Sequence, residues 1–126
     1  MKPFLAAATL AAALLAPAAY ADCTYPQAPT NLPDGTTATL KEMLAGMQQV
    51  SVYNKEMTAY LSCIKLERDS RVAAAGATLT KQQKQELEAI EIQKNNAAVD
   101  QLHAVADQFN AQVKIFKARD KKSDSN

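Results

Sequence analysis

Residues 39–75 read TLKEMLAGMQQVSVYNKEMTAYLSCIKLERDSRVAAA, and this stretch decides the fold. No proline interrupts it, and its apolar residues are spaced three or four apart, which is the spacing of one helix face. The residues of this face are Met43, Met47, Val50, Tyr53, Met57, Tyr60, Leu61 and Ile64. Thr39 and Glu42 fit a capping box, in which each side chain accepts a hydrogen bond from the other residue's backbone N–H. The stretch therefore predicts one long amphipathic helix.

A second helix is predicted over residues 80–118. Gly76 suits a helix C-cap, and Thr80 and Gln83 repeat the capping pattern. The second half of this helix has a heptad pattern, which predicts a coiled-coil seam with one polar residue, Asn95. One row of the seam is Ile92, Val99, Ala106 and Val113, and the other is Asn95, Leu102, Phe109 and Phe116.

Two helices of similar length with a short joint predict an all-α fold, a long antiparallel two-helix hairpin. At 1.5 Å per residue each helix would be about 56–58 Å long. Residues 119–126 are predicted to be a polar tail. Asn95 has two open interpretations: it fixes the register or oligomeric state of the seam, or it marks an exposed part of it.

Residues 22–38 predict an extended arm, because Pro26, Pro29 and Pro33 favour polyproline-like backbone. The arm ends at Pro33-Asp34-Gly35, which predicts a turn in which Gly35 would permit a positive φ. Cys63 would lie about 36 Å along the first helix, so a bond to Cys23 requires the arm to fold back along that helix. Tyr25 and Leu32 would then lie on the helix surface as a partial third layer.

Residues 1–21 have the features of a cleavable secretory signal. Lys2 precedes an apolar run at 4–16, and Ala19 and Ala21 stand before Asp22, so cleavage is predicted between Ala21 and Asp22. An uncleaved anchor would need about 17–25 apolar residues, more than this run contains. A lipoprotein would need a small residue before its cysteine, where Asp22 stands. We expect a periplasmic or secreted protein with no stable membrane insertion after processing.

The two cysteines, Cys23 and Cys63, are expected to form a structural disulfide in an oxidising compartment. Their separation excludes a CxxC redox motif. Removal of residues 1–21 takes away Lys2, one of 14 basic residues, and leaves 13 basic against 13 acidic residues. A net charge near zero argues against a nucleic-acid partner.

The end of the second helix is locally basic, with Lys114, Lys117, Arg119, Lys121 and Lys122. Cations there are favoured by the helix dipole, and an anionic lipid or other polyanion is the alternative partner. Glu86, Glu88 and Glu91, near the start of the second helix, are likewise explained by the dipole.

No pattern predicts a catalytic residue, a cofactor or a metal site, so we do not expect an enzyme. His103 is the only histidine and is expected on the solvated flank of the seam. Met43, Met47 and Met57 share a helix face, and thioethers suit Cu(I), but methionine also fills gaps in ordinary cores. The sequence favours a non-enzymatic helical interaction or structural protein of the bacterial cell envelope, with an envelope protein or a second copy as partner. The alternative is a periplasmic ligand-binding or copper-binding protein.

The sequence combines a cysteine immediately after the export signal, an arm that ends in Pro33-Asp34-Gly35, and a helix that carries Val50-x-x-Tyr53 and then Tyr60-Leu61-Ser62-Cys63. It resembles small uncharacterised exported proteins of proteobacteria over residues 1–67. The resemblance implies an envelope location and a Cys23–Cys63 bridge, and it implies no activity.

Overall fold

The structure, a computed structural model, describes residues 23–123. Helix α1 spans Leu40–Ala75, a 3₁₀ turn spans Gly76–Thr78, and helix α2 spans Lys81–Ser123. The helices lie side by side in opposite directions, and the described residues contain no strand. The predicted all-α antiparallel hairpin is therefore confirmed. The predicted cleavage site at Ala21 and Asp22 lies outside the described residues.

Both helices begin at the capping boxes that the sequence predicts. The Glu42 carboxylate accepts from the Thr39 backbone N–H at 2.6 Å, and the Thr39 hydroxyl accepts from the Glu42 N–H at 3.3 Å. Thr80 and Gln83 make the same reciprocal pair at 2.9 and 3.2 Å. Gly76 ends α1 with a φ of 51°, a conformation that favours glycine because other side chains clash there.

The second helix continues to Ser123, five residues beyond its predicted end. Residues 119–123, which the sequence predicts as part of a polar tail, are helical because Arg119 has two partners. One lies within α2, and the other lies on the segment that precedes α1. The Arg119 guanidinium donates to the Ala38 carbonyl at 2.6 Å and lies 4.8 Å from the centre of the Phe116 ring. These contacts tie the last turns of α2 to the segment that precedes α1.

The N-terminal arm folds back along α1, as the chain lengths require. A Cys23–Cys63 disulfide joins them, with the two Cα atoms 5.7 Å apart. The Tyr25 ring meets the Tyr60 ring edge-on at 5.0 Å. Ala28 and Leu32 pack against the buried residues of the two helices. The predicted disulfide and the predicted partial third layer are thus both present.

The turn at Pro33-Asp34-Gly35 is present, but the expected reason for its glycine is wrong. Gly35 does not have a positive φ; among the described residues only Gly76 does. The Asp34 carbonyl accepts from the N–H groups of Thr37 and Ala38. Gly35 is needed because a Cβ there would lie 2.1 Å from the Gln112 carbonyl oxygen, so the turn rests on the backbone of α2.

The core forms two clusters at the end of the hairpin that the arm covers. One contains Tyr53, Met57, Tyr60, Ile64, Ala98 and Val105. The other contains Ala38, Met43, Phe109 and Phe116. No residue from 65 to 97, the part of the hairpin nearest the loop, is buried.

One row of the predicted seam is displaced by one residue. Leu102, Phe109 and Phe116 pack inward as predicted. Ile92, however, is 52% exposed, and Val105, which belongs to neither predicted row, is only 4% exposed. The inward row is that of Ala98 and Val105, while Val99, Ala106 and Val113 are half-buried beside it. On α1, Met47 was predicted on the core face and is 53% exposed.

Candidate interaction surface

The arm covers one of the two grooves between the helices. Pro33 lies over Gly46, where a Cβ would be 2.5 Å from the Pro33 Cδ. The Gly35 N–H donates to the Gln112 side-chain oxygen at 2.9 Å, and Gly35 also approaches Ile115. Such close contacts fix the arm in this groove, which we call the arm side. Four residues hold the arm there, Gly35, Gly46, Gln112 and Arg119, and no pattern in the sequence indicates this role for any of them.

The opposite groove has no covering segment among residues 23–123. Successive helix residues are about 100° apart, so residues next to the buried row fall on either side of it. On α1 the arm contacts Tyr60 and Cys63 on one side, and Val50 and Leu61 lie on the other. On α2 Gln112 and Ile115 lie on the arm side, and Val99 and Ala106 lie opposite.

We call this second groove and its edges the open face. Its α1 residues are Met47, Val50, Asn54, Thr58 and Leu61. Its α2 residues are Ile92, Asn95, Val99, Ala106, Asn110 and Val113. Every one of these residues is half-buried or exposed. The row of α2 that the heptad pattern placed in the core, from Ile92 to Val113, is therefore the row that lines the open face.

The open face contains no charged residue along its length. Charges stand only at its two ends: Lys65 and Glu88 towards the loop, and Lys117 and Asp120 towards the base. The Thr58 hydroxyl donates to the Asn54 carbonyl at 2.8 Å. Because this hydroxyl already has a partner within its own helix, a protein surface can cover it without leaving a donor unpaired.

Beyond the core, the two helices are joined by an ion pair near the loop. Arg68 of α1 lies 3.0 Å from the Glu91 carboxylate of α2, and it also contacts Asp69 at 2.7 Å. Glu91 thus has a specific partner on the other helix, in addition to the dipole effect expected from sequence. Glu86 accepts a hydrogen bond from Gln82, and Glu88 is exposed.

The three methionines considered for copper are not brought together. Met43 and Met57 belong to different core clusters, and fourteen residues place them about 21 Å apart along α1. Met47 is exposed. His103 is exposed, as expected. Within residues 23–123 no three His, Cys, Asp or Glu side chains are grouped so that they could hold a metal ion.

A shallow groove between the arm and α1 is lined by Thr24, Tyr25, Glu56 and Tyr60. Beneath it the Tyr53 hydroxyl is buried without a hydrogen-bond partner. Burial raises the pKa of Tyr53, and the nearby Tyr25 phenol raises it further. The two phenols are not placed to form a hydrogen bond with each other. A phenol with a raised pKa stays neutral at physiological pH, so Tyr53 offers no activated nucleophile.

Comparisons of the chain with protein-family models, with curated proteins and with solved structures find no match. Neither described helix is long and apolar enough to cross a membrane.

Proposed function

We propose that this chain is a non-enzymatic helical interaction or structural protein of the bacterial cell envelope, and that it binds a protein through the open face. One observation carries the proposal: the arm covers one groove of the hairpin and leaves the other uncovered. The open face is apolar or uncharged, and its edges include the exposed Met47 and Ile92. A protein partner would remove this surface from water, which is the main favourable term in protein association.

The envelope location is part of the proposal. The Cys23–Cys63 disulfide is compatible with an oxidising exported compartment. Intact-mass analysis of the protein exported from a Gram-negative host tests the location, and we expect a chain that begins at Asp22. A diacylglycerol adduct on Cys23, or a retained residue 1–21 segment, would contradict the predicted processing.

Site-specific photo-crosslinking in the intact envelope tests the open face. A photoreactive amino acid is placed at Thr58 or Asn110, both exposed on the open face, and at Ala104 or Gln108, exposed on the arm side. We expect discrete protein adducts from Thr58 and Asn110 and none from the two controls. Adducts that are absent from all four positions, or equal between the two sides, would contradict the proposal.

The alternative of a periplasmic ligand-binding or copper-binding protein is not favoured by any contact among the described residues. Metal analysis and an absorbance spectrum of the protein purified from the periplasm distinguish the two classes. Stoichiometric copper, or the absorbance of a bound cofactor, would support the alternative.

A further inference from the structure

We propose that the partner of the open face is a second copy of this chain, which packs antiparallel against it to form a four-helix bundle. This inference rests on the proposed function, because it names the protein that covers the same surface. The two copies would be related by a two-fold axis near Leu102. Such an interface is isologous, so each residue pair across it occurs twice.

The size of the open face matches what a weak, specific dimer needs. On α2 it extends from Ile92 to Val113, about 33 Å at 1.5 Å per residue. Two helices packed 8–10 Å apart present a face about 20 Å wide, so one copy would bury on the order of 600 Å². Two copies would bury about 1,200 Å², which lies at the lower end of specific protein interfaces.

Charge and side-chain size select one register for the two α2 helices. With the axis near Leu102, Glu88 of one copy lies opposite Lys117 of the other. Ile92 then lies opposite Val113, the larger Val99 lies opposite the small Ala106, and Asn95 lies opposite Asn110. The pairing places opposite charges together at each end and matches two amides that can hydrogen-bond.

Registers one helical turn away are penalised by desolvated charge. A shift in one direction places Ile92 opposite Lys117. A shift in the other direction places Glu88 opposite Val113. Each shift places a charged group against an apolar side chain instead of against an opposite charge, and this occurs twice in a two-fold dimer. The same face therefore specifies both the partner and its alignment.

The test is sedimentation equilibrium of the chain lacking residues 1–21, purified with its disulfide intact, from about 1 to 200 µM. We expect a monomer–dimer equilibrium with a micromolar dissociation constant, as a small interface implies. Val99→Glu should raise the dissociation constant about 100-fold or more, because the variant dimer would bury two unpaired carboxylates. Each tenfold increase in the constant requires only a small loss of binding free energy. Gln101→Glu, an exposed change of the same charge on the arm side, should leave the constant unchanged.

Charge reversal tests the register. Glu88→Lys and Lys117→Glu should each weaken the dimer, and the double variant should restore it. Far-UV circular dichroism and a thiol titre show that each variant keeps its helices and its disulfide. A wild-type chain that is monomeric at 200 µM would overturn the inference, as would equal dissociation by Val99→Glu and Gln101→Glu. If the purified chain is monomeric while Thr58 and Asn110 still crosslink to a different envelope protein, the self-association is wrong and the proposed function stands.

Discussion

Pro33 rests directly on Gly46: a Cβ built on Gly46 would lie 2.5 Å from the Pro33 Cδ and 2.9 Å from the Phe109 Cε2. At this point the arm, α1 and α2 all meet. A rigid proline ring and a buried aromatic ring leave no room for even one added methyl group. The absence of a side chain at Gly46 is therefore what lets the arm lie in the groove.

Gly46→Ala should lower stability although alanine is the better helix former. The helix gains about 1 kcal/mol from the substitution, but overpacking against Pro33 and Phe109 costs about 1–3 kcal/mol. We expect a lower melting temperature, measured by circular dichroism. The same change in a Pro33→Ala background should be less harmful, because the proline ring is then absent. A Gly46→Ala variant that is more stable than wild type in both backgrounds would show that Pro33 does not pack on this glycine.

Cys63→Ser should lower the melting temperature by about 15 °C or more. Closing a loop of this length stabilises by about 4 kcal/mol on the chain-entropy account, and each kcal/mol corresponds to about 4–8 °C in a domain of this size. Cys23→Ser serves as the matched control and should give the same loss, and the double variant should add nothing to it. Two free thiols in the folded wild-type protein would contradict the bridge.

Acid should weaken the caps at the base of the hairpin. Hydrogen bonds from the Thr39 N–H and hydroxyl lower the pKa of Glu42 below its ordinary 4.5. Hydrogen bonds from the Thr36 hydroxyl and N–H lower the pKa of Asp34 below its ordinary 3.8. Because both pKa values are lower in the folded state, the stabilisation is present above the unfolded values and is lost as the pH falls through the folded ones.

Glu42→Gln should therefore lower the melting temperature at pH 7 and reduce its further fall between pH 5 and pH 2. Glu56→Gln, a change of the same kind in the middle of α1, is the control for the loss of one acidic group. Thermal melts across this range give the comparison. Parallel pH profiles for wild type and Glu42→Gln would show that this carboxylate does not act through its ionised form.

Asn95→Leu should raise the melting temperature by about 4–8 °C, because a half-buried amide is replaced by an apolar side chain worth about 1 kcal/mol. It should also loosen the choice of oligomer, because a polar residue in an apolar interface fixes register at a cost in stability and Asn95 pairs with Asn110 in the proposed dimer. Sedimentation and thermal melts measure both effects. Asn96→Leu, on an exposed neighbour, should change neither the oligomer nor its register. Unchanged stability and association in Asn95→Leu would mean that Asn95 does not pack at all.

The hairpin, its caps and its disulfide could be predicted because their signals are local or few. Thr39 with Glu42 marks one helix start, and Thr80 with Gln83 marks the other. Gly76 marks the end of α1 in the sequence because glycine is favoured at a helix C-cap, and in the structure it has the positive φ of such a cap. Two cysteines allow only one pairing within the chain. The arm can span about 53 Å when extended, which is more than the roughly 36 Å that the bond requires.

The displaced row of α2 could not be predicted, because its polar members have partners that are remote in sequence. Adjacent rows of this helix both contain apolar residues, and the inward one also contains Glu91 and Gln112. Glu91 faces Arg68, and Gln112 accepts from the Gly35 N–H. When those partners are unknown, the apolar pattern predicts that the neighbouring row, from Ile92 to Val113, faces the core. In the structure that row lines the open face. The extension of α2 to Ser123 could not be predicted for the same reason, because Arg119 donates a hydrogen bond to the Ala38 carbonyl, which is distant in the sequence.

Oxidative crosslinking of paired cysteines tests the open face most directly. Val99→Cys combined with Ala106→Cys places two thiols about 10.5 Å apart along one helix, too far for a disulfide within the chain. In the proposed dimer each thiol faces its counterpart on the other copy. We predict a covalent dimer on mild oxidation, whereas Gln101→Cys combined with Gln108→Cys, with the same spacing on the arm side, stays monomeric. No covalent dimer from the first pair, or equal yields from both pairs, would contradict the proposed dimer through the open face.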